Sequence, residues 1–269
     1  MAPRGVDVHP ITPSRFYSAG ERLIIETTVS EDRPMNCAAA FVGTAVLVTT
    51  SLVPAAAAGI TVQGLSVGGT EAALLLPARP KGAIILLAGG DGRLGIGTDG
   101  SIARPGNQLV RTREAYAARD FAVLVPEGDV DLAAAVGAMG KYGKVTVVAT
   151  SRGTLRAARG IAGGARPARL VLTSGFLTDA SGDAENVANI LGSAAALPPT
   201  LVVHHRHDSC RVTLPAGVEP FLAWAKGRAR VTWLDGGVTE GDACLARAHH
   251  GFNGIDDRVV SAVAGFAAR

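Results

Sequence analysis

The sequence is poor in charge, in aromatic side chains and in cysteine. Charged residues make up 18% and aromatic residues 4% of the 269 positions, and there are three cysteines. With 48% hydrophobic residues, this composition excludes a disordered chain. The net charge of +3 is spread along the chain, so the clustered basic patch of a nucleic-acid-binding protein is absent. Three cysteines are also too few for a scaffold held by several disulfides.

Sequence motifs for common cofactors and metal ions are missing as well. The chain has neither G-x-x-x-x-G-K-[ST] nor a clean G-x-G-x-x-G accompanied by a ribose-binding acid, so we expect no nucleotide. It also lacks H-E-x-x-H and paired C-x-x-C. Several histidines, acids and cysteines at 204–210 and 244–250 leave a metal site as an alternative. Their spacing disfavours it, because His204 would point away from the strand face shared by His205 and His207.

A long uncharged segment near the N-terminus is typical of an export signal. No charged residue occurs from Asn36 to Thr70, and the apolar stretch Ala38–Ala58 ends in small residues. This pattern predicts a signal peptide cleaved after Ala58 and an exported, periplasmic or extracellular protein that meets the membrane only through this segment. An uncleaved anchor and a buried helix are alternatives. The polar residues before Met35 are unlike a short basic signal start, so translation from Met35 is a further alternative.

The signal divides the chain into an extension at 1–58 and one domain at 59–269. In this domain, short apolar runs alternate with stretches long enough for crossover helices. The runs are Ala72–Leu76, Ala83–Ala88, Ala122–Val125, Val145–Thr150, Leu170–Thr173, Leu201–His205 and Val231–Leu234. The helical stretches are Arg111–Arg119, Asp129–Met139, Gly153–Ile161, Ala216–Lys226 and Asp256–Ala268. We predict an α/β domain with a mostly parallel sheet, helices on both faces, and a ligand site beyond the carboxyl ends of the strands.

A serine stands directly after one of these apolar runs. Ser151 follows Val145–Thr150 and precedes a helix-compatible stretch. This is the setting of a nucleophile elbow, a strained strand-to-helix turn that projects a serine hydroxyl above the sheet. The turn needs small residues two positions before and after the serine, and these are Ala149 and Gly153, with alanine in place of the usual glycine. The alternative is that Ser151 only caps the next helix.

An acid and a histidine follow Ser151 in the chain order of a catalytic triad on such a turn. Asp208 lies just past a later apolar run, and His250 follows the last run by a loop. We predict that His250 takes the proton of Ser151 and that Asp208 orients the imidazole and stabilises its charged form. His249 is the alternative base. His250 is preferred because the sequence His-Gly-Phe leaves its ring at the edge of the loop.

A glycine-rich loop supplies candidate groups for an oxyanion hole. The loop Gly89–Gly92 follows the run Ala83–Ala88. The negative charge of a tetrahedral intermediate requires fixed N–H groups, and we expect these to be the amide of Arg152 and that of Gly90 or Asp91. The alternative for such a loop is phosphate binding.

These motifs resemble those of the α/β-hydrolase superfamily of serine hydrolases. More narrowly, they are similar to exported bacterial α/β-hydrolase-like proteins with a Gly-Gly-Asp-Gly loop, a Thr-Ser-Arg-Gly-Thr elbow and an Asp-x-Cys acid loop. The resemblance covers residues 72–269. It implies the α/β-hydrolase fold and cofactor-free cleavage of an ester-type bond in a small acyl substrate, through an acyl-Ser151 intermediate. A catalytically silent binding protein of the same fold and a metal-dependent hydrolase are the alternatives.

Two cysteines lie near the predicted acid and base. Cys210 is two residues after Asp208, and Cys244 precedes the two histidines. If the acid and histidine loops converge as the resemblance implies, a Cys210–Cys244 disulfide would join them, as an exported protein permits. Two buried free thiols are the alternative.

Overall fold

The computed structural model describes residues 59–128 and 130–269. The predicted signal segment lies outside these ranges, so the division after residue 58 stays a prediction. Within the described ranges, no helix is both long and apolar enough to cross a membrane.

Eight strands of the described ranges form one sheet. They are β1 (Thr61–Val67), β2 (Thr70–Leu76), β3 (Ala83–Leu87), β4 (Ala122–Pro126), β5 (Val145–Thr150), β6 (Arg169–Thr173), β7 (Thr200–His205) and β8 (Ala229–Leu234). Their spatial order is β1-β2-β4-β3-β5-β6-β7-β8. The hairpin β1–β2 and the pair β2–β4 are antiparallel, whereas every pairing from β4 to β8 is parallel. The predicted mostly parallel sheet is therefore confirmed.

In the described part of the chain, seven α-helices lie between or after the strands. They are α1 (Gln108–Arg111), α2 (Arg113–Ala117), α3 (Leu132–Met139), α4 (Arg152–Ala162), α5 (Val187–Leu191), α6 (Val218–Trp224) and α7 (Asp256–Ala267). Short 3-10 turns occupy Gly140–Tyr142, Asp179–Ser181, Ala194–Ala196, Pro215–Gly217 and His249–Gly251.

The helices cover both faces of the sheet, as the continuously apolar strands predict. On one face, side chains of α3, α4, α5 and α6 pack against the strands. On the other face, α1, α2 and α7 do so. Strands β3, β4 and β5 are buried along their whole length. Complete burial of each large aliphatic side chain contributes about 1.5–3 kcal/mol, so these strands form a stable base for the loops that follow them.

Parallel strands bring their following loops to one edge of the sheet. The glycine loop follows β3, Ser151 follows β5, Asp208 follows β7, and His250 lies in the connection after β8. Four segments that are distant in sequence thus meet at the carboxyl end of the sheet.

Candidate active site

Ser151 occupies a strained turn between β5 and α4. Its backbone has φ 51° and ψ −128°, a region that costs a non-glycine residue about 1–3 kcal/mol. The surrounding contacts hold it there: its N–H donates to Thr173 O at 3.1 Å, and its carbonyl accepts from Thr154 N at 2.9 Å. Ser151 occupies the N-cap position directly before α4, yet its side chain makes no capping hydrogen bond. A role as helix cap therefore does not explain this serine.

Close approach of backbones explains the small residues around the turn. A β-carbon added to Gly153 would lie 2.3 Å from Leu87 O, because α4 begins directly against the end of β3. At Gly89, an added β-carbon would lie 3.0 Å from the Ser151 Cβ. Ala149 pairs in register with Leu87 and Leu172 and is fully buried. The sheet thus accommodates a methyl group before the serine, whereas the first turn of α4 requires glycine.

His250 pairs with Asp208 inside the protein. The His250 Nδ1 lies 3.0 Å from Asp208 Oδ2, and the two residues are only 5% and 3% exposed. The other carboxylate oxygen accepts the Cys210 N–H at 2.9 Å. A proton on Nδ1 that is donated to the carboxylate leaves Nε2 as the basic nitrogen. This arrangement suits a histidine that accepts a proton.

Two further hydroxyls hold this histidine, and the sequence patterns do not reveal them. Thr213 Oγ1 lies 3.0 Å from His250 Nδ1 and donates to Asp208 Oδ2 at 3.3 Å. Ser174 Oγ donates to the His250 carbonyl at 2.7 Å. Both hydroxyls are fully buried. Because they stand on segments without a recognisable motif, only the three-dimensional arrangement identifies them.

Two cavities flank Ser151. The first, of about 230 Å³, is lined by Gly89, Gly90, Asn107, Gln108, Thr150, Ser151, Cys244, Leu245, Ala246, His250 and Gly251. The second, of about 310 Å³, is lined by Gly90, Ser151, Arg152, Phe176, Cys210, Arg211, Val212, Asp242, Cys244 and Leu245. Ser151 and His250 thus share one cavity, and Ser151 opens onto both.

The glycine loop lies beside Ser151 in both cavities. Gly90 has φ 62° and Gly92 has φ 75°, conformations that glycine adopts without steric cost. Arg152 is the first residue of α4, so its N–H has no acceptor within the helix and lies at the positive end of the helix dipole. The predicted donors Gly90 and Arg152 therefore both adjoin the serine.

Solved structures share this architecture, although sequence comparisons find no relative. No protein-family model matches the chain, and no curated protein matches it significantly. The esterase domain of a Rhodothermus marinus protein superposes with a TM-score of 0.55 at 15% identity, over 78% of this chain and 99% of that one. The Pyrococcus furiosus esterase Pf2001 gives 0.54 at 14%, over 77% and 89%. TT1662 from Thermus thermophilus gives 0.51 at 14%, over 78% and 99%. The chain has the α/β-hydrolase fold.

His249, the alternative base, packs against other histidines and not against Asp208. The His249 ring stacks on His205, with ring centroids 4.3 Å apart and planes within 7°. His207 adjoins both rings. It is thus His250, rather than His249, that contacts Asp208.

Hydrogen bonds engage both ring nitrogens of His205. His205 Nδ1 accepts the His207 N–H at 3.0 Å, so Nε2 carries the proton and donates to Gly236 O at 2.8 Å. Burial lowers the pKa of His205, which favours this neutral form. Among the described residues, no three His, Cys, Asp or Glu side chains are arranged to hold a metal ion. The metal-site alternative thus gains no support from this geometry.

The structure contains the predicted disulfide. Cys210 and Cys244 are bonded, with their Cα atoms 4.5 Å apart. The bond ties the loop that carries Asp208 to the loop that leads to His250. The alternative of two buried free thiols is therefore wrong.

Arg111 also fixes the histidine loop. Its Nε and Nη2 donate to the two carboxylate oxygens of Asp256, both at 2.9 Å. Further donors reach Gly251 O at 2.7 Å and Ala246 O at 3.1 Å. These carbonyls lie on either side of His250 in the sequence. The paired, forked geometry of arginine suits such multiple contacts.

Proposed function

We propose that this protein is an exported serine hydrolase that cleaves an ester-type bond of a small acyl substrate. Ser151 is the nucleophile, His250 the general base and Asp208 the residue that orients the base. One observation carries the proposal. A serine in a strained turn, whose side chain makes no helix-capping hydrogen bond, meets a buried His–Asp pair at one cavity. Likeness to esterase structures supports the fold alone.

Acylation of Ser151 would be the first chemical stage. Ser151 Oγ attacks the acyl carbon while its proton passes to His250 Nε2, and the Asp208 carboxylate stabilises the resulting imidazolium. The negative oxygen of the tetrahedral intermediate is met by the Arg152 N–H and by that of Gly90 or Asp91. Each such donor typically contributes 10²- to 10³-fold to the rate. Collapse of the intermediate breaks the bond to the leaving alcohol, which takes the proton from His250.

Water would resolve the acyl-enzyme by the same groups in the same roles. His250 removes a proton from the attacking water and returns it to Ser151 Oγ as the second tetrahedral intermediate collapses, which breaks the acyl–Oγ bond and releases the acid. No cofactor takes part in either stage.

A short acyl chain suits the space available. The two cavities beside Ser151 measure about 230 Å³ and 310 Å³, so each lies below or at the lower end of the usual range for pockets that take drug-sized ligands. We therefore expect acetate and butyrate esters to be better substrates than octanoate or longer esters.

Export is proposed on two observations. The sequence carries a signal-like apolar segment ending at Ala58, and the disulfide between Cys210 and Cys244 suits an oxidising compartment.

Hydrolysis of p-nitrophenyl esters of graded chain length tests the proposal. The wild type should turn over the short esters, and Ser151→Ala should lower kcat by about 10³-fold or more. Ser66→Ala is the matched control, because Ser66 is an exposed strand residue distant from the site in the fold. Unaltered turnover in folded Ser151→Ala would overturn the mechanism. A folded wild type without activity on any ester would favour a silent binding protein, and loss of activity with a chelator would favour metal-dependent hydrolysis.

A further inference from the structure

An arginine on α4 forms hydrogen bonds with the glycine loop beside Ser151. Arg156 stands five residues after the serine. Its Nη1 donates to Gly90 O at 3.1 Å, and its Nη2 donates to Ala88 O. The loop also packs directly on the guanidinium, since a β-carbon added to Gly92 would lie 3.0 Å from Nη2. The guanidinium thus forms hydrogen bonds with Ala88 and Gly90 and lies close to Gly92.

These two hydrogen bonds fix peptide planes rather than side chains. A trans peptide places the carbonyl of one residue and the N–H of the next in a common plane, pointing in opposite directions. Holding Gly90 O therefore orients the Asp91 N–H, and holding Ala88 O orients the Gly89 N–H. The Gly90 N–H belongs to the peptide that links Gly89 and Gly90, and the peptides on both sides of it are held by these hydrogen bonds. Both candidate loop donors of the oxyanion hole are constrained in this way.

The loop needs such a constraint because of its composition. Glycine has more backbone freedom than any other residue and loses more entropy when it is ordered. Two glycines at positive φ, Gly90 and Gly92, flank Asp91. An oxyanion hole, in contrast, accelerates a reaction only when its donors already point at the developing charge.

We propose that Arg156 is a positioning residue for the oxyanion hole, holding the glycine loop through the carbonyls of Ala88 and Gly90. This inference rests on the proposed serine hydrolase function. Because Arg156 belongs to α4, which follows Ser151 directly, it couples the nucleophile and the loop donors into one rigid unit. The forked guanidinium can reach two carbonyls at once, which a lysine ammonium on a flexible stem does not reproduce.

Steady-state kinetics of Arg156→Ala and Arg156→Lys test this role. We expect kcat for p-nitrophenyl butyrate to fall about 10- to 100-fold in both variants, with KM within about threefold, because the donors act mainly in the transition state. Affinity for a trifluoromethyl ketone, which forms a tetrahedral adduct, should fall in parallel with kcat. Added methylguanidinium should restore part of the kcat of Arg156→Ala, whereas Arg166→Ala should keep the wild-type kcat with or without it.

Arg166→Ala is the matched control. The Arg166 guanidinium also donates to backbone carbonyls, those of Ile161 and Ala165, but lies at the far end of α4. If Arg156 had only a structural role, Arg156→Ala would resemble Arg166→Ala: the melting temperature would fall and kcat would stay unchanged. Circular dichroism shows whether each variant is folded, and Arg156→Lys carries the test if Arg156→Ala unfolds.

The outcomes separate this inference from the proposed function. An inactive, folded wild type would refute the hydrolase itself. An active wild type together with a folded Arg156 variant of unchanged kcat and unchanged ketone affinity would overturn the role of Arg156 alone.

Discussion

His250 Nδ1 and Asp208 Oδ2 are 3.0 Å apart in an almost completely buried pair. The carboxylate fixes the ring so that Nε2 is the basic nitrogen, and an amide in its place favours the wrong tautomer. We expect Asp208→Asn to lower kcat by about 10³- to 10⁴-fold. Thr213→Val removes a hydroxyl that contacts the ring and Asp208 Oδ2 but leaves the carboxylate in place, so kcat should fall much less than in Asp208→Asn. Similar kcat values for the two variants would argue against a special role of Asp208.

Substitution of Gly153 tests the close approach of α4 to β3. The added methyl of Gly153→Ala would lie 2.3 Å from Leu87 O, so the backbone must shift. We expect the free energy of unfolding to fall by about 1–3 kcal/mol, as in overpacked cores, and kcat to fall as well.

Gly137→Ala is the control for this glycine. Gly137 lies within α3, and an added β-carbon there meets no atom within 4 Å. Alanine should raise the free energy of unfolding by about 0.5–1 kcal/mol. Urea denaturation measures both variants, and equal shifts of the same sign would contradict the packing described.

Removal of the disulfide should destabilise the protein. Cys210 and Cys244 are separated by 34 positions, for which the chain-entropy model gives about 3–4 kcal/mol. The variant Cys210→Ser/Cys244→Ser should lose about that much of its free energy of unfolding in urea. Mass spectrometry after alkylation without a reductant should find both cysteines of the wild type unmodified. Alkylation at either one would show that the bond does not form.

Stability should decrease in mild acid because of buried histidines. Burial lowers the pKa of His204 and of His205 below 6.5 in the folded protein. Below pH 6.5 the unfolded chain therefore binds protons that the folded chain does not. The free energy of unfolding should fall as the pH drops through this range, by at most about 1.4 kcal/mol per pH unit for each histidine. Urea denaturation from pH 7.5 to 5.0 should show a smaller slope in His204→Gln, and equal slopes would contradict this assignment.

Most of the fold could be predicted because several of its strands are continuously apolar. All seven predicted runs are strands, and all five predicted stretches contain helices. The sequence did not reveal β1, which lies at the edge of the sheet and is mostly exposed. It also did not reveal α5, whose five residues are too few for a periodic pattern. Short or exposed elements depend on tertiary contacts that a local pattern does not record.

Some residues of the candidate site could likewise be predicted from the sequence, and others could not. Ser151, Asp208 and His250 stand next to strand ends or in a marked loop, so chain order alone groups them. Thr213 and Arg156 contact residues that are distant in sequence. No motif distinguishes their side chains from other threonines and arginines, and only the folded arrangement does.

Covalent labelling with a fluorophosphonate tests most directly that Ser151 is an activated nucleophile. We expect one label per folded wild-type chain, mapped by peptide mass spectrometry to Ser151. The label should be absent in Ser151→Ala, slowed in His250→Ala and kept in His249→Ala. A folded wild-type protein that stays unlabelled, or one that is labelled at another residue, would contradict the account.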